Sequence, residues 1–270
     1  MAMTFLLPDS IDSGEFYGGF SSSRETAAED KAVSAHEVHI LREKLTVPKF
    51  DALIGRPRLS ETLERSLTTF GATMLCGRAG SGKSALAADF CERYSQVAWL
   101  TVDGGDAEWK NFAAYFAAAV SRDRKLKPRE KGPECNPTAM AEFLGSVLEG
   151  HSGGDPMLLV LDDIHRIFDA EWFCEFFNLL LYSLPENVQL LLLCRSKPPN
   201  PLWRLRSKQM LNVVDEKLLA FNQSETTLFF ASLGLPEPTA KRAWKESFGR
   251  ISKLIQIAIR DARENGGTAA

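Results

Sequence analysis

The chain has 270 residues, 44% of them hydrophobic and 25% charged, enough for one large α/β domain or one domain with a small appendage. A formal net charge of -3 and a pI near 5.9 exclude a globally basic surface, so charge alone gives no reason to expect direct nucleic-acid binding. The five cysteines (Cys76, Cys91, Cys135, Cys174 and Cys194) lack C-x-x-C spacing, and their odd number argues against a complete disulfide framework. A reducing cytoplasm is the expected compartment. The N-terminus has no basic segment of the signal-peptide kind, and no apolar run is long enough to span a bilayer, so no membrane partner is expected.

Residues 1–43 are rich in Ser, Gly, Asp and Glu and read as a mobile arm with a short helix near Ala32 to Leu41. The folded body is expected from near Leu45. Leu59, Leu63, Leu67 and Phe70 recur at helical spacing, followed by a strand at Thr73–Cys76. A second strand at Val97–Val102 precedes a helix marked by Trp109, Phe112, Phe116 and Val120. The basic stretch from Ser121 reads as a solvated loop, and Asn136-Pro137 reads as a helix N-cap with proline in the first turn. Further strands are expected at Met157–Asp162, Val188–Cys194 and Met210–Val214. Most of the strands are near-continuous apolar runs, as in a parallel sheet covered on both faces. Asn222 and Glu225 have capping-box spacing, and Trp244, Phe248, Ile251, Ile255 and Ile259 read as one face of a terminal helix. The organisation so read is an arm at 1–43, an α/β domain at 44–220 with a central parallel sheet of five strands, and a partial helical lid at 221–270.

Gly77-Arg78-Ala79-Gly80-Ser81-Gly82-Lys83-Ser84 matches G-x-x-x-x-G-K-[ST], between a strand and a helix that begins with Ser84 and Ala85. Glycines let successive backbone N–H groups turn inward toward phosphate oxygens, and the helix adds the positive end of its dipole. Lys83 is positioned to reach the terminal phosphates as a catalytic charge, and the Ser84 hydroxyl is a ligand for Mg²⁺. The run Leu158–Leu161 ends in Asp162 and Asp163. A carboxylate at the edge of a buried strand needs a cation, so Asp162 is read as the second Mg²⁺ ligand and Asp163 as a general base for water. The next apolar run ends in Arg195, either a γ-phosphate sensor or a partner of Asp162 or Asp163. His165 reads equally as a phosphate-network or a structural residue. Arg204 and Arg206 read by default as surface residues.

From Lys44 to Ala262 the chain resembles the STAND class of P-loop NTPases within the AAA/ORC-like superfamily. Within that class it resembles the ATP-dependent bacterial transcription activators typified by the maltose-regulon activator. The resemblance rests on KLTVPKFDALIGRPRLSETLERSL, VAWLTVDGGDAEWKNFAAYFAAAV, LLVLDDIH, LLLLCRSKPP and LRSKQMLNVVDEKLLAFNQSETTLFF in the same order. It implies an ADP-bound resting form, an ATP-bound active form and slow hydrolysis. It also implies Ile54, Gly55 and Arg56 beside the adenine and Arg195 as sensor. Another protein, an output or sensor subunit, is the expected partner. The chain departs from the family where a G-x-P motif is expected and Phe248-Gly249-Arg250-Ile251 stands instead. Its length leaves no room for winged-helix, sensor-repeat and DNA-binding segments. The leading expectation is an ATP-binding switch with weak ATPase activity. The alternatives are a non-catalytic module held together by nucleotide, a small-molecule kinase, and a ring-forming motor.

Overall fold

A computed structural model describes residues 40–50, 54–121, 133–151 and 154–266. The helix read near Ala32 and the basic stretch after Ser121 therefore lie almost entirely outside the described residues.

Ile40 and Leu45 already pack against the core, and Lys44 fixes the entry. Its ammonium donates to the buried Asp106 at 2.6 and 2.7 Å and stands 3.9 Å over the Tyr115 ring. Helix α1 (Pro57–Phe70) starts with proline in its first turn and ends at Gly71, whose φ of 70° closes the C-cap. Leu59, Leu63 and Leu67 are buried on one face, as their spacing requires, whereas Phe70 is half-buried.

The remaining elements of the α/β body are β1 (Ala72–Cys76), α2 (Lys83–Cys91), β2 (Gln96–Thr101), α3 (Trp109–Val120), α4 (Pro137–Leu148), β3 (Met157–Asp162), α5 (Phe173–Ser183), β4 (Val188–Cys194), α6 (Asn200–Ser207), β5 (Leu211–Val214) and α7 (Glu216–Leu219). All pairings are parallel, and the strand order is β2-β3-β4-β1-β5. The two strands expected at Thr73 and Met210 are displaced by one residue at their starts, and the one expected at Val97 begins and ends one residue earlier. The chain leaves β1 for the far edge, returns through β3 and β4, and then crosses β1 to β5. That reversal makes the C-terminal end of β1 the topological switch point, where ligands bind in open α/β sheets.

Alternation along the strands explains the apolar runs. Met157, Leu159 and Leu161 face one side with Leu190, Leu192 and Cys194, while Leu158, Val160, Leu191 and Leu193 face the other. The first side is filled by aromatic rings of α3 and α5, among them Trp109, Phe112, Phe116, Phe176 and Phe177. The second side takes α1 and α2, with Leu63, Leu86 and Phe90. Asn136 caps α4 as read, its side-chain oxygen accepting from Ala139 N at 2.9 Å.

After the sheet, α8 (Gln223–Ser232), α9 (Glu237–Ser247) and α10 (Ile251–Gly266) gather a small core of their own, built on Phe221, Phe230, Leu235, Leu254 and Ile257. The Asn222–Glu225 capping box forms in both directions, at 2.7 and 2.9 Å. The single terminal helix read from Trp244 onward does not form. Phe248 and Gly249 take left-handed backbone, with φ of 53° and 74°, and separate α9 from α10. Phe248 is therefore 83% exposed, and the buried face of α10 is Leu254, Ile257 and Ala258 rather than Ile251, Ile255 and Ile259. The reason is a close approach: Phe221 N donates to Gly249 O at 2.8 Å, and a Cβ on Gly249 would lie 2.0 Å from Phe221 O.

Candidate nucleotide-binding site

The loop between β1 and α2 begins where β1 runs out, and Gly77 N donates to Cys194 O at 3.1 Å. Gly80 and Gly82 have φ of 70° and 86°, conformations that side-chain-bearing residues rarely adopt. Such turns direct consecutive N–H groups into one concavity, which suits an anion. Gly82 is also the N-cap of α2, so the helix contributes its first free N–H groups.

Lys83 is buried, and its ammonium donates to Gly77 O at 2.5 Å, Arg78 O at 3.0 Å and Ser81 Oγ at 3.3 Å. The cation is thus folded along the inside of the loop. Burial lowers its pKa, against the pull of Asp162 toward the charged form. Ser84 Oγ donates to Asp162 Oδ2 at 2.7 Å, joining the start of α2 to the end of β3 although β4 separates β1 from β3. Burial raises the Asp162 pKa despite the Ser84 hydrogen bond that favours its charged form. A buried carboxylate shared with a serine hydroxyl is a donor set for a hard divalent cation. Among the described residues no cluster of three or more His, Cys, Asp or Glu forms a metal cage. Mg²⁺ would therefore draw on Ser84, Asp162, phosphate oxygens and water. The residues present fit both groups.

Asp163 follows with φ of 56°. Arg195 Nε and a terminal guanidinium nitrogen donate to its two carboxylate oxygens at 3.2 and 3.0 Å. Of the partners weighed for Arg195, Asp163 is the one it meets in this structure. Arg166 Nε is 3.6 Å and His165 Nδ1 3.8 Å from the same carboxylate. Among the described residues His165 Nδ1 has no hydrogen-bond partner, and burial lowers the pKa of this imidazole.

Of the residues expected beside the base, Ile54 packs on the core of the three C-terminal helices and Gly55 is exposed. The Arg56 guanidinium is committed elsewhere. It donates to Leu219 O at 2.9 Å, Ala220 O at 3.1 Å and Glu225 Oε2 at 3.0 Å, and lies 4.1 Å from the Phe221 ring centre. Only its backbone remains to border a ligand. Arg78 and Ala79 are exposed. Arg204 and Arg206 are exposed on α6, with Arg206 over the Trp203 ring.

Sequence reasoning missed how α10 meets the loop. Built Cβ atoms on Gly80 and Gly82 would lie 3.2 Å from Ser252 Cβ and 3.6 Å from Ile251 Cγ2. Glu216 also stands between Arg78, at 3.4 Å, and Arg250, at 3.6 Å. The only sequence signal was the departure at Phe248–Ile251. A cavity of about 920 Å³ opens beside these groups, lined by Cys76, Gly77, Ser81, Arg195, Glu216 and Arg250 among others.

The sheet order and this loop define an α/β P-loop NTPase fold. A solved structure of that kind, the Walker-type ATPase PABY2304 of Pyrococcus abyssi, superposes with a TM-score of 0.51 at 15% identity, covering 80% of this chain and 69% of the other. The chain is more particularly a P-loop NTPase domain that resembles the MalT-type regulators. It is 28% identical over 228 residues to the HTH-type transcriptional regulator MalT of Vibrio cholerae, covering 79% of this chain and 25% of that protein. It is 28% identical over 238 residues to MalT of Yersinia pestis (strain Pestoides F), covering 84% and 26%. The chain thus spans about a quarter of the length of the curated relatives it matches. No family model matches it. Among the described residues no helix is long and apolar enough to cross a membrane.

Proposed function

We propose that the chain is a cytoplasmic, ATP-binding regulatory switch with slow Mg²⁺-dependent hydrolysis, whose nucleotide state is read by a partner protein. The observation that carries this reading is the convergence of Lys83, Ser84 and Asp162 beneath the start of α10. Phosphates in the loop would take the N–H groups and the Lys83 ammonium now turned onto loop carbonyls. Ser84 and Asp162 would hold Mg²⁺, which would supply charge neutralisation along the phosphates. Ser252 and Ile251 lie against Gly80 and Gly82, so a loop that moved with the nucleotide would give the lid a differential contact with the two nucleotide states.

Arg195 and Asp163 form the second part of the device. A γ-phosphate competes with Asp163 for the Arg195 guanidinium, and a carboxylate released from that pair can orient and deprotonate water. In this structure the Asp163 carboxylate is held by Arg195, and a base paired in that way would turn over slowly. The partner is proposed to be an output or sensor protein, because the MalT proteins that the chain resembles are transcriptional regulators.

Binding and turnover of Mg·ATP by the wild type and Lys83→Ala test the reading. Tight binding by the wild type and its loss in the variant support it, and absence of binding by both overturns it. Phosphate release slowed in Asp163→Asn, with binding retained, supports the hydrolytic part. The second reading, a non-catalytic module stabilised by nucleotide, draws on the absence of the G-x-P proline: Ile251 stands where that motif is expected. It requires binding without measurable release of phosphate.

A further inference from the structure

Two of the free cysteines meet at the foot of the phosphate loop. Cys76 is the last residue of β1 and Cys194 the last of β4, directly opposite in the parallel register. Both side chains point to the same face of the sheet, and their Sγ atoms are 3.0 Å apart in a shared hydrogen bond. Cys194 is fully buried, but Cys76 retains 7% exposure and lines the 920 Å³ cavity, so a small reagent has a way in. We propose that Cys76 and Cys194 are a redox-active dithiol, a modification site that closes to a disulfide with a hydroperoxide and loosens the phosphate loop.

The division of roles follows from position. Cys76 meets the cavity and attacks; Cys194 lies behind it and resolves. The Cys194 thiol holds Cys76 below its ordinary pKa, burial opposes, and Lys83 and Lys197 help, while Cys194 itself is pushed up by Cys76 and by burial. The Cys76 thiolate takes the outer oxygen of the hydroperoxide as the O–O bond breaks, and an alcohol or water leaves with the proton. The Cys194 sulfur then attacks the sulfenic acid, its proton departs with the hydroxyl as water, and the S–S bond forms. The two thiols lose two electrons and the peroxide gains them.

Closing the bond draws the sulfurs together by about 1 Å. Gly77 is the next residue along, hydrogen-bonded to Cys194 O and to the Lys83 ammonium through its own carbonyl. Strain passed from the new bond to Gly77 is expected to lower Mg·ATP affinity by about tenfold, through the N–H groups and the Lys83 ammonium that the loop positions. This consequence rests on the nucleotide reading above; the chemistry of the pair does not.

The full-length reduced protein is treated with hydrogen peroxide and digested without reductant. The expected result is a loss of two hydrogens and a cross-link joining the Cys76 and Cys194 peptides. In Cys194→Ala and Cys194→Ser the cross-link disappears and dimedone traps Cys76 as its sulfenic acid, whereas Cys135→Ser retains the cross-link. Oxidation of Cys135 or Cys174 while Cys76 and Cys194 remain free thiols overturns the proposal. Mg·ATP affinity is then compared in reduced, oxidised and re-reduced protein, with loss on oxidation and recovery on reduction expected. A cross-linked protein that binds as well as the reduced one overturns the effect on the loop and leaves the site. Reduced protein that binds no nucleotide defeats the functional reading, while the cross-link still decides the dithiol.

Discussion

At the scale of single residues, the proposed nucleotide site is a set of buried charges. Asp162 is held at a strand end where burial raises its pKa, and its hydrogen bond from Ser84 offsets that only in part. Lys83 is buried too, and directs its donors to the loop rather than to Asp162. On the proposed nucleotide reading, each group would gain when phosphate and a cation arrive together. Asp162→Asn keeps the shape, leaves one acceptor oxygen for the two donors Ser84 Oγ and Asp163 N, and removes the charge that the proposed cation site needs. Calorimetric titration of this variant should give Mg·ATP affinity weaker by about 10–100-fold, with ATP binding no longer improved by Mg²⁺. An unchanged Mg²⁺ dependence would remove Asp162 from the metal site.

Between elements, the stretch from Arg56 to Glu225 latches the start of α1 to the lid. Glu225 is buried and accepts from Arg56 and, at 3.3 Å, from Arg58 while completing the cap of α8. Burial alone would raise its pKa, but Arg56, the Asn222 N–H and Arg58 outweigh this and hold it below its ordinary value of 4.5. A depressed carboxylate pKa contributes stability that is complete above 4.5 and is lost as pH falls through the folded value. Glu225→Gln leaves Arg56 buried without its anion, so it should cost about 3 kcal/mol at neutral pH. In denaturant titrations the gap to the wild type should narrow as pH falls below 4.5 and close once the folded carboxyl is protonated; a gap that still persists at that acid limit would place the effect in packing instead.

The turn between α9 and α10 makes an opposite pair of predictions. Gly249→Ala sets a Cβ against the Phe221 backbone and cannot be relieved by a side-chain rotation, so it should destabilise by about 2 kcal/mol or more. Phe248→Gly, at an exposed left-handed position, should stabilise by about 1 kcal/mol. Denaturation midpoints of the two variants moving in the same direction would contradict this account of the turn.

For the whole molecule, what matters is that the proposed ligand site is lined by parts with separate cores. The sheet brings the ends of β1, β3 and β4 to one edge, and the three C-terminal helices pack around Phe230 and Leu254 rather than into the sheet core. A ligand bridging these parts stabilises both by mass action, about 2.7 kcal/mol at a hundredfold excess over Kd. Thermal unfolding of the wild type should therefore shift upward with Mg·ATP or Mg·ADP, and Lys83→Ala should show no shift. A melting temperature indifferent to nucleotide in the wild type would also remove the reading of the nucleotide as a structural cofactor.

The parallel sheet, the helices that cover it and the phosphate loop were legible in the chain alone, because they depend on local periodicity and on a motif whose glycines and lysine are contiguous. Met157–Asp162 and Val188–Cys194 are read to the residue because both faces of those strands are buried and the apolar run has sharp ends. What depends on residues far apart in sequence was decided only by the tertiary structure. The periodicity that reads as one helix through Phe248 is broken because Gly249 must approach Phe221, 28 positions away. The guanidinium of Arg56 is directed to Leu219, Ala220 and Glu225, and Arg195 meets Asp163, because partners of this kind are selected by geometry across the fold and leave no local pattern. Cys76 and Cys194 carry no spacing signal either. It is the insertion of β4 between β1 and β3 that sets the two thiols side by side.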